Sequence, residues 1–339
     1  MKNKNIILLA VPGIIIAFSL SYLGNILSKY HPLLDGFFIA FIGGIIVSTL
    51  IRKKTLLWTG TALCKDILIP VGLFLYGTQI NWLKWAKLDA PIFFISIINI
   101  FLYFIVIFLC NRYLFGINNN KLSFLNSGAN SICGVSATAV YIPFVDADEE
   151  ETTATLLTIV ITGLISVFST WYIIQNIAIL SSNQYAALCG LTLNQTGAVK
   201  AAASFMSKET VGLATTIKFF RTSLIIPVAF LIMFLNQKNT GSSGKMSSQL
   251  RRSAINYGVF IGILFFGGSL LFTFTPLSSY AKPISPLFKI LFGSTLASVG
   301  LLCDLRKILK KEIIFNTISS VIGWIVVAVI TLLCIKIYL

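Results

Sequence analysis

The chain has 339 residues, of which 56% are apolar and 11% charged, with a net charge of +15 and a mean hydropathy of +0.89. About a quarter of a soluble domain is charged, so this composition excludes a globule with an ordinary polar surface. Apolar blocks of roughly 20 residues suit helices crossing a bilayer core; basic residues in the short loops between them read as positive-inside topology, with no nucleic-acid partner implied.

In chain order, spans are predicted near 6–27, 35–50, 60–80, 90–111, 122–143, 152–174, 184–205, 210–235, 254–275, 284–303 and 313–335. The expected fold is an all-α integral membrane protein of ten or eleven transmembrane helices, forming one polytopic domain over 1–339. Lys2 and Lys4 precede an apolar run that continues to about Leu27 without a small-residue cleavage site, which reads as a first span rather than a signal peptide. The third block carries Lys65, Asp66 and Pro70, and the fifth, seventh and tenth are weakly hydrophobic and rich in Gly, Ser, Thr and Asn. Gln237–Ser253 (QKNTGSSGKMSSQLRRS) is predicted to be a flexible cytoplasmic loop.

Counting from a cytoplasmic N-terminus puts fifteen basic loop residues inside and six outside. The acidic run Asp146, Asp148, Glu149, Glu150 and Glu151 is assigned to the outer side, as is the C-terminus. The expected location is the bacterial inner membrane. Six cysteines without a CxxC spacing and a single histidine, His31, argue against a disulfide framework or a metal site, and no cofactor is expected. Gly77, Asn81 and Lys84 at the end of the third block are echoed by Gly300, Asp304 and Lys307 at the end of the tenth. In the assigned topology the two copies point to opposite faces, as an inverted repeat requires.

Three segments can carry chemistry. Asn126-Ser-Gly-Ala-Asn-Ser-Ile-Cys-Gly-Val-Ser-Ala-Thr138 combines two glycines with Asn130, Ser131 and further hydroxyls. A helix break there would expose backbone N–H groups near the bilayer middle, an arrangement that binds anions; close packing through small residues is the alternative. Gly190 to Ala203 has the same character, with Thr192, Asn194, Gln195 and Thr196 followed by Lys200. A lysine at mid-span costs roughly 2.5–3.5 kcal/mol on insertion scales, so it needs a partner, water or a ligand unless it snorkels to an interface. Lys218 and Arg221, three apart, share one helix face inside an apolar run. They suit an oxyanion, or alternatively pair with Asp66, Asp304 or the acidic run.

Ser131-Ile-Cys-Gly-Val-Ser-Ala137 resembles the SICGASA signature of the YeiH-type family, named for proposed sulfate export. The acidic run after it, Lys218-x-x-Arg221 leading to Pro227, Gly77-Thr-Gln, and Gly300 through Asp304 agree with that family in order and spacing over nearly the whole chain. The resemblance implies the bile acid, arsenite and riboflavin transporter superfamily, hence inverted repeats, discontinuous central helices and secondary transport. One departure stands out. Where the family reads Gly-x-x-x-His-Glu-x-x-Gln, this chain has Gly190, Asn194, Gln195 and Ala198, and Lys200 takes a usually apolar position. Proton coupling through that His-Glu pair is unavailable here.

The expected function is a secondary transporter, not an enzyme, exporting a small anion such as sulfate, sulfite or an organic sulfonate. Its expected substrate-binding residues are Asn130, Ser131, Gly134, Asn194, Gln195, Thr196, Lys200, Lys218 and Arg221. Its partners are the small anion and the lipid bilayer, and a homo-oligomer is compatible with this class. The competing readings are an intramembrane enzyme using Ser131 or Cys133, and a non-transporting module that binds a ligand in the membrane.

Overall fold

The computed structural model describes residues 2–30, 36–51, 55–86, 88–176, 180–239, 248–303 and 311–338. In chain order the helices are α1 (Lys2–Leu27), α2 (Gly36–Leu50), α3 (Thr55–Gly77), α4 (Trp82–Trp85), α5 (Ala90–Leu109), α6 (Asn120–Ser131), α7 (Val135–Val145), α8 (Glu149–Asn176), α9 (Ser182–Thr192), α10 (Thr196–Ser204), α11 (Lys208–Ser223), α12 (Ile225–Asn239), α13 (Ser248–Phe274), α14 (Ala281–Leu302) and α15 (Lys311–Tyr338). A π-turn extends α5 and a short 3₁₀ turn precedes α14. Among the described residues every regular element is helical, and eight helical stretches are long and apolar enough to cross a bilayer. The chain is an all-α, multi-pass integral membrane protein. Several residues singled out in the sequence lie outside the described ones: His31, the basic group 52–54, and Asp304 to Lys307, the second half of the glycine echo. Helices α12 and α13 run into both ends of the expected 237–253 loop, leaving 240–247 outside the described residues.

The chain divides into two compact units, Met1–Trp82 with Val259–Leu309, and Leu83–Gly258 with Lys310–Leu339. In the first, α1, α2, α3 and α14 pack through small residues. A Cβ on Gly300 would meet the Phe41 carbonyl, and one on Gly44 would lie 2.9 Å from the Leu301 nitrogen, so the α2 and α14 backbones touch where both residues lack side chains. Ser48 adds a hydrogen bond to the Cys303 carbonyl at 2.6 Å. Gly77 in α3 has a similar place, facing the Phe265 carbonyl of α13.

The second unit surrounds four short helices with long ones. Its α8 begins in a reciprocal cap: the Asp148 carboxylate accepts from the Glu151 N–H, and Glu151 accepts from the Asp148 N–H, both at 2.8 Å. Asn119 caps α6 and also donates to Glu151 at 2.8 Å. The next contact corrects the expected topology. Lys121, at the start of α6, forms an ion pair with Asp146, at the end of α7, at 3.0 Å. Segment 122–143 is broken, as expected, yet it does not cross. Helices α6 and α7 form a hairpin whose two ends lie together. Segment 184–205 behaves alike: Tyr185 in α9 donates its hydroxyl hydrogen to the Ala202 carbonyl in α10 at 2.9 Å. Each arm has only 9 to 12 residues. At 1.5 Å per residue such an arm reaches about halfway through an apolar core of about 30 Å.

The acidic run therefore shares its side with Lys121 instead of lying across the membrane from it. The eighth expected span is also divided, into α11 and α12 at Leu224. Pro227 has no N–H to offer the Ser223 carbonyl, which interrupts the ladder there.

Candidate functional site

The two hairpin tips meet beside the middle of α8. The Gln195 amide donates to the Ile159 carbonyl at 3.0 Å, and the Asn194 amide donates to Asn130 Oδ1 at 2.9 Å. Local sequence explains both turns. Gly134 adopts φ +67°, ψ −116°, a conformation available in practice only to glycine, and so re-aims the chain from α6 into α7. Its missing Cβ also lets the tips approach, because a Cβ there would lie 3.1 Å from Gln195 Cγ. In the second tip Leu193 and Gln195 are extended, which ends α9 and starts α10 without a side-chain cap.

Each break leaves the carbonyls at the end of one arm and the N–H groups at the start of the next without intrahelical partners. The carbonyls are met from α11. Lys218 Nζ donates to the carbonyls of Ile132 at 2.6 Å and Leu193 at 2.7 Å, one on each hairpin. Arg221 donates from Nε to the Ser131 carbonyl at 2.7 Å, from one terminal nitrogen to Leu191 at 2.9 Å and Leu193 at 3.3 Å, and from the other to Asn130 at 3.2 Å. Both side chains are 0% exposed, and Arg221 also stacks over the Tyr103 ring at 5.8 Å. Among the described residues neither is paired with a carboxylate; the ion pair there is Lys121 with Asp146.

The electrostatic result is asymmetric. Helix C-termini carry partial negative charge and N-termini partial positive charge. Two buried cations answer the C-terminal ends of α6 and α9. The N-terminal ends of α7 and α10, adjacent and without side-chain caps, stay positive with no anionic group against them among the described residues. Ser136, Gln195, Thr196, Gly197 and Ala198 are half-buried there, while the rest of 122–141 is buried.

Of the expected site residues, Asn130, Ser131, Gly134, Asn194, Gln195, Thr196, Lys218 and Arg221 come together at the tips. Lys200 lies one turn along α10 and is exposed. The Ser131 hydroxyl donates to the Gly128 carbonyl at 2.8 Å, and Ser136 donates to Cys133 Sγ at 2.7 Å. Sequence reasoning missed α15 and α5. Asn316 and Ser320 of α15 receive hydrogen bonds from Asn126 at 3.1 Å each, and Asn111 donates to Asn316 at 2.8 Å. Asn99 of α5 reaches Thr331 at 2.8 Å and the Leu191 carbonyl at 3.4 Å. The available signal was Asn316 and Ser320 four apart on a long, mostly apolar helix.

The sequence model of a family described as Conserved hypothetical protein 698 matches residues 12–315. The chain is similar to a UPF0324 membrane protein of Streptococcus agalactiae, with 24% identity over 311 residues, 88% of this chain and 89% of the relative. A UPF0324 membrane protein of Archaeoglobus fulgidus is 27% identical over 304 residues, 88% and 84% of the two chains. One from Lactococcus lactis, YdhF, is 25% identical over 335 residues, 94% and 97%. No solved structure matches the chain.

Proposed function

The chain belongs to the Conserved hypothetical protein 698 family, and we propose that it is a secondary transporter exporting a small anion across the bacterial inner membrane. The candidates are sulfate, sulfite and organic sulfonates. The observation that carries this reading is the asymmetry of the hairpin tips, where Lys218 and Arg221 engage the carbonyl ends and leave two adjacent helix N-termini without side-chain caps. Such ends bind anions through aligned dipoles and N–H donors, and discontinuous helices with sites at mid-membrane depth are a recurring transporter design. In this reading the Gln195 amide and the Thr196 hydroxyl orient the anion, and exposed Lys200 raises its local concentration. Lys218 and Arg221 act through the helix ends they hold.

The test is counterflow in proteoliposomes holding the purified full chain, with radiolabelled sulfate, sulfite or methanesulfonate outside and the unlabelled anion inside. Transient accumulation above equilibrium for at least one anion is expected. No accumulation for any of them, from protein shown to be folded, would overturn the transport reading.

A further inference from the structure

We infer that the site selects oxyanions that carry a hydrogen, such as hydrogenphosphate or hydrogensulfite, over fully deprotonated ones such as sulfate, and that the amide oxygen of Asn194 makes the selection. This rests on the anion reading of the site given above; of the anions named there it favours sulfite, as hydrogensulfite, over sulfate and the sulfonates.

A chain of buried amides has its polarity fixed by the backbone. Asn316 Nδ2 donates to the Glu312 carbonyl at 2.9 Å, and Asn130 Nδ2 donates to the Asn126 carbonyl at 2.9 Å. A carbonyl can only accept, so neither amide can be turned over without setting oxygen against oxygen. The orientation of Asn130 then propagates. Its nitrogen also faces Asn126 Oδ1 at 2.8 Å, which leaves Asn130 Oδ1 toward Asn194. Asn194 must present its nitrogen to that oxygen, and does so at 2.9 Å.

The oxygen of Asn194 is thereby forced to the far side, where it has no hydrogen-bond partner although the residue is only 1% exposed. Its surroundings place it at the candidate site. Gly163 of α8 lies in front of it, since a Cβ there would be 3.6 Å from Asn194 Oδ1 and 2.7 Å from Gln195 Nε2. The neighbouring residue in sequence, Gln195, is the cap position of α10. An unsatisfied acceptor thus stands against α8, next to the uncapped N-terminus of α10.

These features divide the work. The N-termini and nearby cations attract negative charge without distinguishing one oxyanion from another. A fixed acceptor distinguishes strongly, because it gains a hydrogen bond from a P–OH or S–OH group and meets lone pairs on an anion that has no such group. A site with this acceptor rejects sulfate in favour of an anion of equal charge and shape that retains one hydrogen.

The experiment measures affinity of the purified full chain in detergent for two matched pairs at neutral pH. Sulfate is compared with hydrogenphosphate, both tetrahedral dianions, and methanesulfonate with hydrogen methylphosphonate, both monoanions. In each pair the hydrogen-bearing member is expected to bind about tenfold tighter or more, as loss of one buried hydrogen bond implies. In Asn194→Leu that ratio should fall to about twofold or less. Equal affinities within each pair in the wild-type protein would overturn the inference while leaving the anion site intact, and this arm does not depend on the variant folding. A preference surviving in folded Asn194→Leu would remove the role from Asn194. Binding of none of the four anions would overturn the anion reading itself, and the inference with it.

Discussion

The ammonium of Lys121 and the carboxylate of Asp146, 25 positions apart, form an ion pair at 3.0 Å that closes the mouth of the first hairpin. The chain therefore enters and leaves the membrane on one side there, and the Tyr185–Ala202 hydrogen bond implies the same for the second hairpin. Removing two crossings keeps the termini on opposite sides, so the cytoplasmic N-terminus and external C-terminus proposed from loop charge are unaffected. With a cytoplasmic N-terminus, the acidic run falls on the cytoplasmic side. In a cysteine-free background, Asp148→Cys should react with an impermeant thiol reagent from the cytoplasmic side only. Ser182→Cys and Ser207→Cys should react from the outer side only. Labelling of Asp148→Cys from outside would restore the crossing topology.

Replacing Lys218 by Met should destabilise the second unit while leaving its insertion intact. The Ile132 carbonyl loses its donor, at about 1–3 kcal/mol for a buried group left unpaired, and the Leu193 carbonyl keeps only the longer bond from Arg221 at 3.3 Å. The measurement is the thermal midpoint of the purified protein. An alkali cation can enter the vacated nest of carbonyl oxygens, so sodium should raise the midpoint of the variant and not that of the wild type. Wild-type stability and wild-type transport in both Lys218→Met and Arg221→Met would remove these residues from the site.

Gly134→Ala should lower stability by about 1–3 kcal/mol, the scale of a residue held in a disfavoured backbone region. Its φ of +67° disfavours any Cβ, and the added carbon would sit 2.8 Å from Ile159 Cγ2. Gly212→Ala in α11 is the control. No atom lies within 4 Å of the added carbon, and a helical alanine is neutral or mildly stabilising. Equal midpoints for the two variants would contradict the geometry assigned to the first tip.

Asn194→His combined with Gln195→Glu should give transport a new pH dependence, measured with methanesulfonate, which does not itself titrate in this range. An imidazole titrates near pH 6.5 and is cationic below it, and protonating the carboxylate removes a negative charge from the site. Both changes favour an anion at lower pH, so initial transport rates should rise as pH falls through about 7 to 5. A flat profile in a folded, active double variant would place this segment off the transport path.

Most of the secondary structure was legible because apolar block length and helix length are linked by the bilayer. Every predicted span finds a helix or a pair of helices within a few residues of its expected bounds. What block length cannot encode is whether a weakly hydrophobic stretch goes through or turns back. Gly134 and Gly197 signalled a break, but only the pairing of Lys121 with Asp146 reveals a return. Lys218 and Arg221 were legible as two cations on one helix face. Their partners were not, because main-chain carbonyls leave no mark in a sequence, whereas carboxylates such as those of the acidic run do. Asn316 and Ser320 were missed because a few polar side chains in a long apolar helix resemble ordinary small-residue packing until Asn126 is found against them.

Because Lys218 and Arg221 recognise carbonyl oxygens rather than side chains, their grip does not depend on which side chains stand at the positions they hold. The clamp is indifferent to lettering. A lineage can exchange the residues that line the tips, as Asn194 and Gln195 stand where the YeiH-type pattern has His and Glu, while the hairpins stay joined. The scaffold and the lining of the tips can thus evolve on separate schedules, the first held by two side chains on one helix and the second open to point substitution.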